Sequence, residues 1–253
     1  MDKKVVLVTG GASGIGYGIL KYLLDSDNYT IISVSKGEKN IQTAKENLKE
    51  LSDRILFLQN DITNEIECEN IYKIIESKYG RLDGLVNCAG IIKLGGIEQQ
   101  SLSEWNESVN INLTAIFLLT KTLLPLLKKG HNPSIINISS IHSEIPGGSI
   151  AYCTSKAGLD MLTKFMAQEL TKYKIRVNSI NPAFVESNIY LNSGDYSELE
   201  YKELINQRNS IYPLGRIGNV YKDIAPLAEL LLSDKSLWTT GSIFVVDGGK
   251  SLF

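Results

Sequence analysis

Tyr152 and Lys156, in the stretch AYCTSK, put a phenol four positions before an ammonium. On a helix that step stacks two side chains on one face, roughly 5 to 6 Å apart at Cβ. A free tyrosine titrates near ~10, too high for an efficient base near neutrality, and a neighbouring cation favours its ionised form. The pair can therefore hand a proton to a substrate oxygen or take one away. Taken alone, such a pair is more often an exposed helix pair. Upstream, NISS ends in Ser139 and Ser140, thirteen and twelve residues before Tyr152, and either hydroxyl could hold a substrate oxygen. Side chains alternate along a strand, so only one of two adjacent serines faces a given cleft.

A second constellation lies near the N-terminus. VTGGASGIG spaces Gly10, Gly14 and Gly16 as G-x-x-x-G-x-G, after an apolar run and before a helical pattern. Backbone approaches a pyrophosphate closely only where no Cβ intervenes, and the following helix aims free N–H groups at the anion. About twenty residues on, SVSKGEK offers Ser35 and Lys36 and no carboxylate before Glu38. An acidic residue there accepts from the ribose hydroxyls of NAD(H), whereas a basic one neutralises the 2'-phosphate of NADP(H). Lys36 thus favours NADP(H), with NAD(H) as the alternative.

These groups need a frame to hold them. Seven short apolar runs recur, KVVLVTG, YTIISVS, RILFLQND, LDGLVNCAG, PSIINISS, KIRVNSINP and GSIFVVDGG, most of them separated by helical patterns such as GIGYGILKYLLD. Strands that are apolar throughout are buried on both faces of a parallel sheet. The alternation predicts an α/β fold: one Rossmann-like, doubly wound parallel sheet with helices on both faces. No repeat, linker or shift in composition marks a boundary, so residues 1–253 are expected to form one dinucleotide-binding and catalytic domain. The polar, tyrosine-rich stretch at about 188–212 is a candidate substrate lid or an ordered pair of surface helices.

The balance of 26 Lys and Arg against 28 Asp and Glu gives a net charge of -2, without the basic footprint of a nucleic-acid binder. Three cysteines (Cys68, Cys88, Cys153) and two histidines (His131, His142) lack metal-ligand spacing, so no metal site is expected. His142 sits two residues past Ser140, as a substrate contact or an ordinary loop histidine. No stretch approaches ~18 uninterrupted apolar residues, and the first apolar run ends in glycines as a strand does. A cytoplasmic enzyme with a small-molecule substrate and no membrane is the expectation.

Taken in order, TGGASGIG, NCAG, NINL, NISS, YCTSK and NPAFVES resemble the short-chain dehydrogenase/reductase family, from about Val5 to the terminal VDGG. The resemblance implies hydride transfer between NAD(P)(H) and a secondary alcohol or ketone, in a homo-oligomer, dimer or tetramer. It implies catalytic roles for Asn112, Ser140, Tyr152 and Lys156, with Ser140 and Tyr152 touching substrate. It assigns the cofactor to Gly10, Ser13, Gly14, Ile15, Gly16, Asp61, Ile62, Asn87, Ala89, Gly90, Pro182, Val185 and Ser187, together with Tyr152 and Lys156. Asn112 is expected to help hold a water linking Lys156 to solvent. Ser140 follows the family motif, and the loop IHSEIPGGSIA then absorbs the one-residue shortening, since loops tolerate deletion better than strands. A 3-oxoacyl thioester reductase serving an acyl-carrier protein is the enzymatic alternative; a cofactor-sensing binding protein without turnover is the non-enzymatic one. The carboxylates of the lid argue against an acidic carrier.

Overall fold

The computed structural model describes residues 3–187 and 197–252. Seven parallel strands carry the chain: β1 (Lys4–Thr9), β2 (Tyr29–Ser35), β3 (Ile55–Gln59), β4 (Gly84–Asn87), β5 (Ser134–Ile138), β6 (Arg176–Pro182) and β7 (Ile243–Val246). Their order is β3-β2-β1-β4-β5-β6-β7, which makes the sheet doubly wound and parallel, the architecture that the alternating pattern predicts. The order reverses between β1 and β4, and α/β sheets open their ligand crevice at the carboxyl ends of the strands at such a point.

Both faces are covered because strand residues alternate sides. Leu7, Leu85, Ile135 and Val177 meet α3 (Glu65–Tyr79), α5 (Ala115–Leu127) and α6 (Ile150–Leu170) through Ile71, Ile75, Leu119, Leu123 and Met166. Val6, Val8, Val86, Ile136 and Ile180 meet α1 (Gly14–Leu24) and α8 (Ala225–Leu232) through Ile19, Leu20, Leu23, Ala228 and Leu231. Among the described residues, the remaining α-helices are α2 (Glu38–Asn47), α4 (Leu102–Val109) and α7 (Glu198–Asn209).

Local chemistry sets the helix ends. Asn64 caps α3 by accepting from the N–H of Ile66 at 2.9 Å, and Gly80 ends that helix at φ +70. Ser101 with Glu104 on α4, and Ser197 with Glu200 on α7, form reciprocal capping boxes. Ser149 caps α6 through the N–H of Tyr152 at 3.2 Å, which fixes where the YCTSK turn begins.

Helices α4 and α5 are joined by a single π turn, Asn110–Thr114. The continuous helix Leu102–Leu127 is, by length and composition alone, apolar enough to cross a membrane. Its buried side chains, Leu119, Leu123, Leu126 and Leu127 among them, pack on the sheet as those of a core helix do.

Candidate active site

A cleft of about 260 Å³ opens at the carboxyl ends of β1, β4, β5 and β6. At one end lies the glycine turn, with Gly10, Ser13, Gly14, Ile15 and Gly16 on its wall. Gly10 and Gly14 have φ +64 and +54, the left-handed region in which a Cβ is strained. A Cβ on Gly16 would stand 2.5 Å from the carbonyl oxygen of Gly10, so only glycine closes this turn. Ser13, the residue before α1, makes no side-chain cap, so the first turn keeps N–H groups for a ligand, although that of Gly16 meets the Cys88 sulfur. An uncapped helix start behind a turn without side chains suits the pyrophosphate of a dinucleotide.

The floor is built by α6, which five hydrogen bonds tie to the sheet. The Lys156 ammonium donates to the carbonyl of Ile138 at 2.8 Å, and Ser139 Oγ donates to the carbonyl of Lys156 at 3.2 Å. Asn181 Nδ2 donates to Asp160 Oδ2 at 2.7 Å, and Asn137 Nδ2 to Thr163 Oγ1 at 2.7 Å. Ser179 Oγ adds a bond to Asp160 Oδ1 at 3.0 Å. The polar residues of NISS and VNSINP, on strands buried along their length, thus fix the register of the helix that carries Tyr152 and Lys156.

Lys156 is 4% exposed, and its Nζ lies 5.6 Å from the centroid of the Tyr152 ring. Burial pulls the ammonium down from 10.5 to about 8, while Cys88 and Asp160 pull the other way. Tyr152, half-buried, lines the cleft; Lys156 supports it from beneath.

Asn112 lies in the π turn and is fully buried. Its Oδ1 accepts the N–H of Ile91 at 2.8 Å, and its Nδ2 donates to the carbonyl of Ile91 at 3.0 Å and to Ser155 Oγ at 3.1 Å. The amide thereby joins the loop after β4 to the first turns of α6. Gly90 makes room for this, since a Cβ there would stand 3.1 Å from Asn112 Oδ1 and 3.7 Å from Lys156 Nζ.

The two candidate serines differ in their partners. Both line the cleft, but the hydroxyl proton of Ser139 is engaged by Lys156. Ser140 Oγ accepts the N–H of His142 at 3.1 Å and keeps its own proton to donate. His142 also lines the cleft, with Nδ1 3.0 Å from the carbonyl oxygen of Ile145. Cys153 Sγ accepts the N–H of Gly147 at 3.3 Å in the loop between them.

Ala89, Gly90, Pro182, Val185 and Ser187 line the same cleft, as does Cys88, whose thiol burial pushes up to about 12. Asn87 does not: it is buried in the sheet, donating to Asn137 Oδ1 at 2.9 Å. Ser35, Lys36, Asp61 and Ile62 also lie off the cleft wall, at and just beyond the ends of β2 and β3. There Ser35 Oγ accepts the N–H of Ala12 at 3.1 Å, and Lys36 pairs with Asp61 at 2.7 Å. Burial raises the Asp61 carboxyl, but Lys36 and Thr63 outweigh it and hold the group below its ordinary value.

Of the stretch at about 188–212, residues 188–196 lie outside the described residues, while Arg208 and Tyr212 reach the cleft wall. Phe184 and Lys250 line the cleft too, and sequence reasoning did not single them out. Phe184 sits inside the quoted NPAFVES, so a signal for it was present; nothing in the pattern brings Lys250 back to the strand ends. Among the described residues, no group of three His, Cys, Asp or Glu side chains could hold a metal ion.

A parallel sheet with a phosphate-type turn and a tyrosine–lysine floor defines an α/β oxidoreductase of the nucleotide-binding kind. The short chain dehydrogenase family profile matches residues 4–195, and the chain belongs to that family of dehydrogenases and reductases. It is 35% identical over 253 residues to a 2,5-dichloro-2,5-cyclohexadiene-1,4-diol dehydrogenase of Sphingobium indicum, covering 98% of this chain and 96% of the relative. It is 30% identical to a 3-oxoacyl-[acyl-carrier-protein] reductase of Thermotoga maritima, with 98% of each covered. Among solved structures, the ligand-free aldohexose dehydrogenase of Thermoplasma acidophilum superposes with a TM-score of 0.87 at 29% identity, covering 99% of this chain and 95% of that one. ElxO with NADP bound gives a TM-score of 0.87 at 28% identity, with 100% of both chains covered.

Proposed function

We propose that this protein moves a hydride between NADP(H), or alternatively NAD(H), and a secondary alcohol or ketone, with Tyr152 as the general acid/base. The observation that carries this reading is the buried Lys156 ammonium, held by Ile138 at 2.8 Å beneath the Tyr152 ring, in the cleft that begins at the glycine turn. A nicotinamide dinucleotide, when bound, supplies or takes up the hydride. Tyr152 moves the proton at the substrate oxygen, and the cation beneath it stabilises negative charge on the phenolic oxygen. Ser140, with its proton free to donate, holds that oxygen in position. Lysine has three donors; with one engaged by Ile138, the others are available to ribose hydroxyls.

Asn112 is read as a positioning residue. Its amide is engaged by Ile91 and Ser155, so a water serving Lys156 would be held by groups other than this side chain. Lys36 supports NADP(H): it stands 79% exposed at the end of β2, held by Asp61 and free to turn to a 2'-phosphate. The relative that acts on 3-oxoacyl carrier-protein substrates favours a second reading, against which Glu198, Glu200 and Glu203 stand exposed on the outer side of α7. Keeping both Tyr152 and Lys156 speaks against a sensor without turnover. Exposed Phe117, Met161 and Phe165 on α5 and α6 support a homo-oligomer packed through those helices.

The test is Tyr152→Phe. The variant is expected to bind NADPH with unchanged affinity by fluorescence titration, and to lose hydride transfer across a panel of ketones and alcohols by roughly 10³-fold. Undiminished turnover would refute the mechanism.

A further inference from the structure

The wall of the cleft carries a charge asymmetry that hydride transfer does not require. Among its described lining residues are Lys93, Arg208 and Lys250, and none is Asp or Glu, in a chain where acidic residues outnumber basic ones by 28 to 26. Lys93 is already matched by Glu107 at 3.7 Å. Arg208 and Lys250 have no ion pair among the described residues.

Each is kept in that condition by its surroundings. Arg208, in the last turn of α7, lays its guanidinium 4.6 Å from the centroid of the Phe184 ring. Stacking of this kind fixes the plane of an arginine and leaves its donating edges open. Its Nε is buried without a hydrogen-bond partner, a cost that a bound acceptor would relieve. Phe184 is itself anchored, its N–H donating to Tyr212 Oη at 3.1 Å. Glu198, Glu200 and Glu203, on the same helix, are exposed, so α7 sorts its charges with Arg208 at the cleft and carboxylates in solvent. Lys250 follows the glycine pair of VDGG, and the nearest carboxylate in sequence is engaged by backbone N–H groups. Asp247 accepts the N–H of Gly249 at 2.9 Å and of Ser251 at 2.6 Å, folding into its own turn.

The pyrophosphate of a cofactor does not need these two side chains, because the uncapped start of α1 and the glycine turn meet it at the other end. We propose that Arg208 and Lys250 receive a carboxylate of the substrate, so that the protein acts on a hydroxy acid and its oxo acid. The inference rests on the oxidoreductase reading above, and it names the substrate class. A guanidinium fork matches a carboxylate in two hydrogen bonds, and a flexible ammonium adds a second charge.

The experiment uses the full-length protein with NADP+ and calorimetric titration of 2- and 3-hydroxycarboxylates of four to six carbons, each against its own amide and a phosphate monoester of equal length. At least one acid is expected to bind tenfold or more tightly than its amide. Arg208→Met and Lys250→Met, which lie on separate elements, are each expected to lower acid affinity about tenfold while amide and NADP+ affinities stay within about twofold. Equal affinity for acids and amides overturns the inference, as does failure of every acid to bind. So does preference for the phosphate ester, or a loss in both variants that falls on NADP+ instead. Acid-over-amide discrimination without turnover of any acid would leave the carboxylate site standing and remove the hydride-transfer reading, so the two failures are separable.

Discussion

Two lysines of this molecule teach opposite lessons. Lys156 sits at 4% exposure on the cleft floor, with one fixed acceptor and a pKa pulled down by burial to about 8. Lys36 sits at the rim, 79% exposed, paired with Asp61 by a hydrogen bond that raises its pKa. Desolvation governs the first and a solvated ion pair the second. The floor is therefore expected to couple function to stability, whereas the rim is expected to tune cofactor choice at almost no cost to the fold.

The largest break in that contrast is Lys156→Met. Turnover is expected to fall roughly 10²- to 10⁴-fold, yet the fold should gain about 1 to 3 kcal/mol near neutral pH, measured by urea denaturation. The pH dependence carries the sign. A lysine whose pKa falls on folding costs stability while both states are charged, below about pH 8, and the cost fades as pH rises toward 10.5. The wild type should therefore gain stability relative to the variant across that window. A parallel dependence in both proteins would remove burial as the cause.

Asp160→Ala comes next. It removes the acceptor of one Asn181 N–H and one of the several acceptors of Ser179 Oγ, and about 1 to 3 kcal/mol of stability should be lost. Because Asp160 fixes the register of α6, kcat should fall more than stability alone explains; an unchanged kcat at full folding would show the helix to be held by packing.

Lys36→Asp should change least. The ratio of kcat/KM for NADPH over NADH is expected to drop about tenfold, while the denaturation midpoint moves by less than the ~1 kcal/mol at the upper end for an exposed ion pair. No shift in the ratio would place cofactor choice elsewhere.

Much of this division is legible in the sequence, and its limits are physical. Apolar runs such as KVVLVT announce a strand buried on both faces, and the glycine spacing together with Tyr152 and Lys156 announces the two ends of the cleft. The tether of α6 is harder to see, because Asn137, Ser179 and Asn181 look like surface residues until Thr163 and Asp160 are brought beneath them. Sequence spacing leaves Ser139 and Ser140 as rivals; in the structure they differ in that the carbonyl of Lys156 engages the hydroxyl of Ser139. Asn87 matches a cofactor-side motif but points into the sheet, where it bonds Asn137. Lys250 and Arg208 meet the cleft only through long-range folding, which no local pattern encodes.

The π turn at Asn110–Thr114 makes the position of Asn112 a matter of helical phase. A π turn holds one more residue than the α turn it interrupts, and each helical residue advances the side chains by about 100°. Removing a single residue between α4 and Asn112 would let the helix close into regular α geometry. It would also swing that amide away from Ile91 and Ser155 without changing the chemistry of any side chain in the cleft. The length of this segment is therefore as strict a requirement as its composition.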